Sequence, residues 1–513
     1  MSHGGRDRYR HVADTYTVGD ESVESKGFFG AICLLLFVAT FFVAGPWAGF
    51  HAVLLGCFGL LILLFPPRIK LPAVWLGLAI AFAVAGSAAF LPVSWFHVPE
   101  WRSQLESHGV NTGPLVVIQS RMAVESLALF AITIFAGFWI AGQRPTPSQI
   151  RLWALVFSIG VACYAVISKL NQGLPYDSTI VGSKIFGFFP NRNHSATYLA
   201  MGTVCGLGCT LQAMRDKRFV ILAIALSATL VCLWSIAAWS ISRAGIVLVS
   251  IGGLLWFVLL GRRYFGRHGL WAISLITLIA GGLFLITNTE VKERITDTVS
   301  KVNTIIETES IEDPLVIKSS TISIEQLDFR MSVYLDTFDL IREYPWTGIG
   351  AGQYEFIIPQ YRKRTLISND FILYHPESDW LWMASEVGIP ATLCLLALVV
   401  FAVRKSLKDI LSGRDRALRA GCLVSAMLVP IHGMFDVPGH QIPLAWSAVF
   451  LFVLSLHPPT EPVSPVVSHV WLSRLLATCL LATSFFLVRA QWGGGAQPAH
   501  MKVKSEIFRT KAH

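Results

Sequence analysis

Long apolar segments are the feature that most constrains how this chain can fold. Crossing a bilayer takes roughly 20 apolar residues. Segments close to that length occur at about 27–45, 47–65, 72–91, 122–141, 150–170, 194–213, 219–239, 243–260, 268–287, 377–402, 418–433 and 441–457, with a weaker one at 470–489. Only 14% of the residues are charged, against roughly 25% in soluble domains. The pattern predicts an all-α polytopic membrane protein with about 12–13 transmembrane helices, because helices satisfy their own backbone hydrogen bonds in lipid.

The Lys and Arg residues in the short connections predict the orientation. With the N-terminus inside, the cytoplasmic connections hold 20 of them and the opposite short loops hold 5. Cytoplasmic loops carry the excess of Lys and Arg in membrane proteins. We therefore expect an inner-membrane protein with a cytoplasmic N-terminus. The same distribution explains the net charge of +9 without nucleic-acid binding, since the cations are spread among the loops instead of forming one basic face.

These spans divide the chain into five regions. We predict a cytoplasmic tail at 1–26, nine spans within 27–287, an extracytoplasmic loop at 288–376, three spans within 377–457, and a C-terminal region at 458–513. Whether 470–489 forms an extra span stays open, because crossing there would put Lys502, Lys504, Arg509 and Lys511 outside, against the rule for positive charge.

The nine cysteines all lie inside apolar segments and indicate no disulfide framework or zinc site. His432, Asp436 and His440 are spaced like residues on one helix face, but Pro438 and Gly439 interrupt that spacing. We predict no metal and no cofactor.

The 89-residue loop at 288–376 is too long to be a simple connection. Spaced apolar residues predict one amphipathic helix near 291–306 and a second from Leu327 to Ile341, ended by Pro345. An apolar face of each would lie on the membrane domain or the lipid interface. The glycines at 348, 350 and 352 predict a tight turn, since no strand precedes them as a dinucleotide fingerprint requires.

The loop ends in His375, Pro376, Glu377 and Ser378, directly before a span. Ser378 or Asp379 suits a helix cap, which leaves His375 and Glu377 without a structural explanation. Charged groups at span ends on one face are costly to bury and are often functional. Others on the same predicted face are Asn191, Arg192, Asn193, His194, Arg243, Arg330, His432, Asp436 and His440. Each Arg taken alone is also compatible with snorkelling or a surface ion pair.

In their order along the chain these motifs resemble the O-antigen ligase and polymerase superfamily, bacterial enzymes of the glycosyltransferase C class. The matching segments are Gly187-Phe188 with Asn191 and Asn193, then Ser242-Arg243-Ala244-Gly245, Arg330, Pro345, Gly348-Ile349-Gly350 with Gly352, Ser378-Asp379-Trp380-Leu381 and Glu386-Val387-Gly388-Ile389. The resemblance covers roughly residues 180–440.

The resemblance implies a glycosyltransferase that moves a glycan from undecaprenyl pyrophosphate to an acceptor hydroxyl during surface polysaccharide assembly. It also implies inversion at the sugar, no metal, and an active site facing the periplasm. The acceptor would be another lipid-linked glycan, lipid A–core or a protein. Arg192 and Arg243 would hold the pyrophosphate with help from Arg330, because guanidinium groups bind phosphate through charge-assisted hydrogen bonds.

The general base is left open between two residues. Ligases of the family carry His directly before Asn, Ser or Gln. Counting back eight residues from Glu386 places Ser378 at the second position, so Glu377 stands where His is usual and His375 lies two residues earlier. Glu377 is slightly favoured by position, and the departure weakens the ligase assignment relative to the polymerase or another acceptor class.

Two other classes of function compete with the enzyme. A transporter or flippase of polysaccharide or lipid-linked sugar is expected to show internal repeats and charges at mid-membrane depth, whereas here the charges gather at one face. A scaffold or receptor would not require Arg192, Arg243, Arg330, His375 and Glu377 to face one cavity.

Overall fold

The computed structural model describes residues 23–42, 48–65, 73–109, 111–143, 145–170, 186–264, 329–363, 373–412, 415–456 and most of 474–485. Within them the helices, numbered α1 to α14 in chain order, are Val23–Phe42, Ala48–Leu64, Ala73–Gly86, Glu100–Ser107, Ser120–Ala141, Pro147–Leu170, Arg192–Arg215, Phe219–Trp234, Arg243–Tyr264, Phe329–Glu343, Tyr354–Ile357, Asp379–Ser412, Arg416–His432 and Ile442–Ser455. The predicted span at 268–287 and the predicted helix at 291–306 lie outside the described residues.

Six stretches of the described chain are long and apolar enough to cross a membrane: Ala73–Phe90, Ser120–Ala141, Pro147–Leu170, Phe219–Ser240, Arg243–Leu260 and Asp379–Leu411. Gly27–Phe41 and Ile442–Ser455 are shorter apolar helices. The regular secondary structure of the described residues is helical, apart from an isolated antiparallel bridge between Pro92 and Leu115. The prediction of an all-α polytopic membrane protein is confirmed.

Helix α7 forms the centre of the bundle and is buried along most of its length, from His194 to Ala213. It packs on α13, where the two backbones approach so closely that a Cβ on Gly208 would lie 3.2 Å from the Cα of Gly421. Small residues permit such approaches between membrane helices. Because α7 contacts protein on nearly all sides, it does not need a strongly apolar lipid-facing surface.

A second, smaller core lies beside the bundle and is built from two separate segments of chain. Val116 and Val117 of the connection between α3 and α5 pack with Val333 and Leu340 of α10. Arg102 on α4 is fully buried and fixes the first segment by donating hydrogen bonds to four carbonyl oxygens between 112 and 116 and to the Thr112 hydroxyl. The described part of the predicted loop at 288–376, which begins at Phe329, therefore shares its core with residues 88–119.

The apolar stripe predicted on α10 is divided in the structure. Ile341 is buried, whereas Met331, Leu335 and Phe338 are exposed. The buried face instead includes Asp336 and Thr337, since these polar groups find partners in the small core. The Thr337 hydroxyl, for example, lies 2.7 Å from the Tyr354 hydroxyl.

The glycine-rich segment after α10 forms a turn that binds α12. The backbone N–H of Gly350 donates to the Glu386 carbonyl at 2.9 Å, and the N–H groups of Gly352 and Tyr354 donate to the Glu386 carboxylate at 2.7 and 3.2 Å. Helix α12 is interrupted beside this turn at Gly388, whose φ is 81°. This docking holds α10 and the start of α12 together.

Part of the weak segment at 470–489 is described as helical. Ala477 and Leu480 are buried in the main core, and Gly59 of α2 faces both of them. The segment therefore packs on the bundle, while its crossing of the membrane stays a prediction that the contacts do not decide.

Candidate functional site

Asp436, in the connection between α13 and α14, is the centre of a buried polar cluster. Its side chain is 1% exposed. It accepts hydrogen bonds from His194 Nε2 at 3.0 Å and from the Asn193 amide at 3.2 Å, with the Asn191 amide at 3.5 Å. His432 Nε2 lies 3.6 Å away. The segment at 191–194, which opens α7, thus points its polar side chains at one carboxylate.

Helix capping explains why the 191–194 segment has this shape. Asn191 is the N-cap of α7, and its side-chain oxygen accepts a hydrogen bond from the Asn193 N–H at 2.9 Å. Asparagine is favoured at this position because it satisfies an N–H without an intrahelical partner. The cap leaves the side-chain amides of Asn191 and Asn193 available to Asp436.

Arg330 connects the cluster to the predicted base residues. Its Nη1 donates to the Phe435 carbonyl at 2.9 Å. Its Nη2 lies 3.9 Å from Asp436 Oδ2 and 3.4 Å from Glu377 Oε2. Glu377 Oε1 is in turn 3.4 Å from His375 Nδ1. The fold therefore joins His375, Glu377, Arg330 and Asp436 into one continuous polar network.

Glu377, which is part of this network, has a backbone conformation that is rare for residues other than glycine. Its φ is 56°, in the left-handed region that costs L-residues roughly 1–2 kcal/mol. The Tyr334 hydroxyl donates to the Glu377 carbonyl at 3.1 Å. Such strained residues persist where surrounding contacts enforce them, often at functional sites. Here Tyr334 and Arg330, both on α10, supply those contacts.

Ser242 and Arg243 follow a second irregular backbone segment. Residues Ser235–Ser240 form a π-helical turn, and Ile241 after it has a φ of 45°, which is exceptional for a β-branched residue. The Ser242 hydroxyl then donates to the Asn193 side-chain oxygen at 2.8 Å. This hydrogen bond holds the start of α9 against the start of α7. Because π-turns often occur at functional sites, the distortion before α9 is consistent with a functional role for this end of the helix.

Six of the eight predicted site residues thus meet at one end of the bundle, which we call the Asp436 end. Glu377, His375, Arg330, Asn191, Asn193 and His432 are linked through the contacts above. Arg192 is half-buried between Asn191 and Asn193, and Arg243 is exposed beside Ser242. Arg192 and Arg243 are each next in sequence to a residue that makes one of these contacts.

Two titratable groups of the cluster that lie outside the helices have altered pKa values. Burial lowers the pKa of His375 to about 4, so its imidazole is neutral near pH 7. Burial alone would raise the pKa of Asp436, but the hydrogen bond from His194 and the electrostatic interactions with His194 and His432 more than offset it and lower the pKa. Asp436 is therefore a fixed negative charge, against which cationic and N–H donor groups are organised.

A second pair, Asp379 and His440, lies next to this cluster. His440 Nδ1 is 2.6 Å from Asp379 Oδ1, and the backbone N–H of Gly439 donates to Asp379 Oδ2 at 2.6 Å. The Asp379 N–H donates to the Asp436 carbonyl at 3.1 Å. His440 is stacked on Trp382 with ring centroids 3.8 Å apart. Asp379 thus holds His440 instead of forming a helix cap through its side chain.

Ser378 fits the structural role expected from the sequence. Its hydroxyl donates to the Gly433 carbonyl at 3.0 Å and lies 3.5 Å from the Leu381 N–H, in capping position. The neighbouring Trp380 donates to the Pro430 carbonyl at 3.0 Å. Both side chains attach α12 to the end of α13.

Sequence reasoning did not assign His194, Asp436, Asp379 or His440 to the site. Asp436 and His440 were recognised as charged groups at a span end, but their partners are 242 and 61 residues away along the chain. Their signal was therefore the cost of placing ionisable side chains at membrane helix ends. This cost indicates which residues are candidates for a site, but it does not show which of them contact each other.

The fold and this cluster define a multi-pass helical membrane protein whose charged and polar side chains converge at one end of the bundle. Residues 228–396 match the family model of the O-antigen ligases. The match confirms the predicted resemblance to the O-antigen ligase and polymerase superfamily, and it indicates a membrane enzyme that ligates glycans. No curated protein matches the chain. The matched segment includes Arg243, Arg330, His375 and Glu377, whereas Asp436 lies beyond it.

Proposed function

We propose that the chain is an inverting, metal-independent glycosyltransferase of the bacterial inner membrane. It would transfer a glycan from undecaprenyl pyrophosphate to an acceptor hydroxyl, with the Asp436 end facing the periplasm and the N-terminus in the cytoplasm. The observation that carries the proposal is the Arg330–Glu377 contact of 3.4 Å, which places a cation and a proton acceptor side by side within a segment that matches O-antigen ligases.

In the proposed reaction the acceptor oxygen bonds to the anomeric carbon of the donor sugar while the bond from that carbon to the pyrophosphate oxygen breaks. The electron pair of that bond leaves with the pyrophosphate, and the proton of the acceptor hydroxyl moves to the base. Arg192, Arg243 and Arg330 would stabilise the negative charge that develops on the leaving group. Fixed guanidinium groups are well suited to this because they cost little reorganisation during reaction.

Glu377 is the proposed base, and His375 is the alternative. A carboxylate paired with Arg330 is a poor proton acceptor, but the pyrophosphate of a bound donor would compete for that guanidinium. Donor binding would then release Glu377 to accept the hydroxyl proton. His375, 3.4 Å from Glu377, would orient it or receive the proton from it. This sequence of events makes acceptor activation depend on the donor being present.

The experiment compares Arg330→Ala with Arg342→Ala on the same helix, where Arg342 is 82% exposed. Transfer is measured in membranes with a lipid-linked glycan donor. Losing one preorganised group that stabilises developing charge costs roughly 10²–10³ in rate, so we expect that loss for Arg330→Ala and wild-type activity for Arg342→Ala. Normal transfer by inserted, folded Arg330→Ala protein would refute the assignment.

The acceptor class is tested separately through the glycan profile of a deletion strain. Short surface glycans in place of long ones would identify a polymerase. Accumulated lipid-linked polymer together with unmodified lipid A–core would identify a ligase, and loss of glycan from a protein would identify a protein acceptor. Unchanged glycans of all three kinds would contradict the proposed function.

A further inference from the structure

Helix α10 carries three large apolar side chains on one exposed face. Met331, Leu335 and Phe338 follow one another at intervals of four and three residues, which places them on the same side of a helix. All three are exposed, and Trp346, three residues after the end of the helix, is 69% exposed. Grouped apolar side chains on a surface often mark a binding site. We call Met331, Leu335 and Phe338 the α10 stripe.

The chain that leaves α10 is attached to α12 at the point where the exposed surface of α12 begins. The Ile389 N–H donates to the Pro345 carbonyl at 2.9 Å, and a Cβ on Gly388 would lie 2.6 Å from the Trp346 carbonyl oxygen. Ile389 is also the first exposed residue of α12. Beyond it, this spanning helix exposes a series of apolar side chains suited to contact with lipid: Leu393, Leu396, Val400 and Phe401. Trp346 therefore lies at the edge of a lipid-facing surface.

The length of α12 places this edge near a boundary of the bilayer. The exposed Arg404 and Lys405 mark one boundary on α12, because charged side chains are costly to place in the hydrocarbon. Gly388 is sixteen residues before Arg404, which corresponds to about 24 Å of helix. The hydrocarbon is roughly 30 Å thick, so Gly388 and the adjoining Trp346 lie close to the opposite boundary. Tryptophan is enriched at this depth in membrane proteins.

We propose that the α10 stripe and Trp346 lie at the boundary between the lipid headgroups and the acyl chains, in contact with phospholipid. Helix α10 then runs along the membrane surface as an interfacial helix, with its apolar face toward lipid. Arg330 and Tyr334, on a neighbouring face of α10, contact Glu377. The bilayer contact therefore sets the height of these groups relative to the lipid headgroups. The inference goes beyond the proposed glycan transfer and does not require it.

The test uses the full chain in phosphatidylcholine nanodiscs, with the photoreactive amino acid p-benzoylphenylalanine at one position at a time. Phe338 is the test position, and Leu335 repeats the test in a second variant. Leu393 on the exposed surface of α12 is the lipid-facing control. Ser103, exposed on the polar face of α4, is the control for a surface in water. After irradiation, mass spectrometry measures the fraction of chain that carries one phosphatidylcholine.

The expected result is a strong lipid adduct at Phe338. Because a side chain seated in lipid is largely removed from water, this adduct should be within about threefold of the Leu393 adduct and about tenfold above the Ser103 adduct. Leu335→Asp, with the photoreactive group at Phe338, should lower the adduct several-fold, since a charge on the stripe opposes its contact with lipid. Ser103→Asp is the matched control and should leave the Phe338 adduct unchanged.

Three results would overturn the proposal. A Phe338 adduct as weak as the Ser103 adduct, in protein that still forms the Leu393 adduct, would show that the stripe faces water. Cross-linking of one chain to another at Phe338 in place of lipid would identify a second copy as the partner. An unchanged Phe338 adduct in the Leu335→Asp variant would show that the stripe does not hold α10 on the bilayer. Each result is obtained without glycan donor or acceptor and is independent of transfer activity.

Discussion

His194 Nε2 donates a hydrogen bond to Asp436 Oδ1 at 3.0 Å, and both side chains are almost completely buried. The contact ties the first turn of α7 to the segment after α13. Around it the fold places groups from α7, α10 and the start of α12. Asp436 therefore has a structural role at the centre of the candidate site.

Replacing Asp436 with Asn is expected to destabilise the protein. Removing one partner of a buried charged pair typically costs 3–5 kcal/mol, because the remaining donors face an amide that cannot accept from all of them. Thermal unfolding in detergent should show a lower midpoint. Asp339→Asn is the control, since the Asp339 side chain is 21% exposed and forms ion pairs of 3.9 Å with Arg342 and Lys363. Equal midpoints for the two variants would contradict the central role of Asp436.

Glu377→Gln tests the choice of base. The amide keeps the shape of the side chain but cannot accept a proton, and general-base catalysis contributes roughly 10²–10⁴ in rate. We expect a loss of that size in the transfer rate with little change in donor binding. His375→Gln should lose less if His375 only orients Glu377. The reverse order of the two losses would make His375 the base.

The pKa of His375 predicts a pH dependence of stability. Its folded value of about 4 lies below the ordinary value of 6.5, so between these pH values the unfolded chain binds more protons than the folded one. Stability then rises with pH across this window. The wild-type unfolding midpoint should fall as the pH is lowered from 6.5 to 4, and His375→Gln should show a shallower fall. Parallel curves for the two proteins would rule out this contribution.

Gly388→Ala is expected to disrupt the joint between α12 and the glycine-rich turn. Gly388 has a φ of 81°, and a Cβ there would lie 2.6 Å from the Trp346 carbonyl oxygen. We expect a loss of at least 1–3 kcal/mol from the backbone strain alone. Gly253→Ala on α9 is the control, because a Cβ there meets nothing within 4 Å. That substitution should leave stability unchanged or slightly raised, as measured by thermal unfolding.

Arg102→Met tests whether the smaller core depends on one buried guanidinium. Loss of the side chain would leave carbonyl groups between 112 and 116 unsatisfied, at a cost of about 1–3 kcal/mol for each buried group. Limited proteolysis should cleave the 88–119 segment faster in this variant. Arg121→Met removes an arginine that is 68% exposed and should leave the cleavage rate at the wild-type value. Unchanged proteolysis of Arg102→Met would show that other contacts suffice.

Local patterns in the sequence predicted the parts of the site that depend on neighbouring residues. The cap at Ser378, the turn through Gly350 and the group at His375 and Glu377 are each formed by residues within a few positions of one another in the sequence. Their conformations follow from capping, from positive φ and from the end of an apolar segment. Arg330 was predicted from the family motif. None of these signals specifies which residue on another helix will be its partner.

The long-range pairs could not be predicted in the same way. The sequence around Asp379 is compatible with a helix cap and with an ion pair. Only the position of His440, 61 residues later, decides between the two. The shared core of residues 88–119 and α10 is a similar case. Each segment has apolar residues that several surfaces could bury, so the choice depends on where the bundle brings the two connections together.

The sequence by itself determined that this is a helical membrane protein, because apolar segments of that length are stable only as spanning helices in lipid. It also determined which residues sit at helix ends, since capping and backbone preferences act over a single turn. The tertiary structure decided that Asp436 joins His194 and Arg330, and that Asp379 pairs with His440. Those relations arise from packing between distant helices, where hydrogen-bond geometry and burial select one partner among several with the same chemistry.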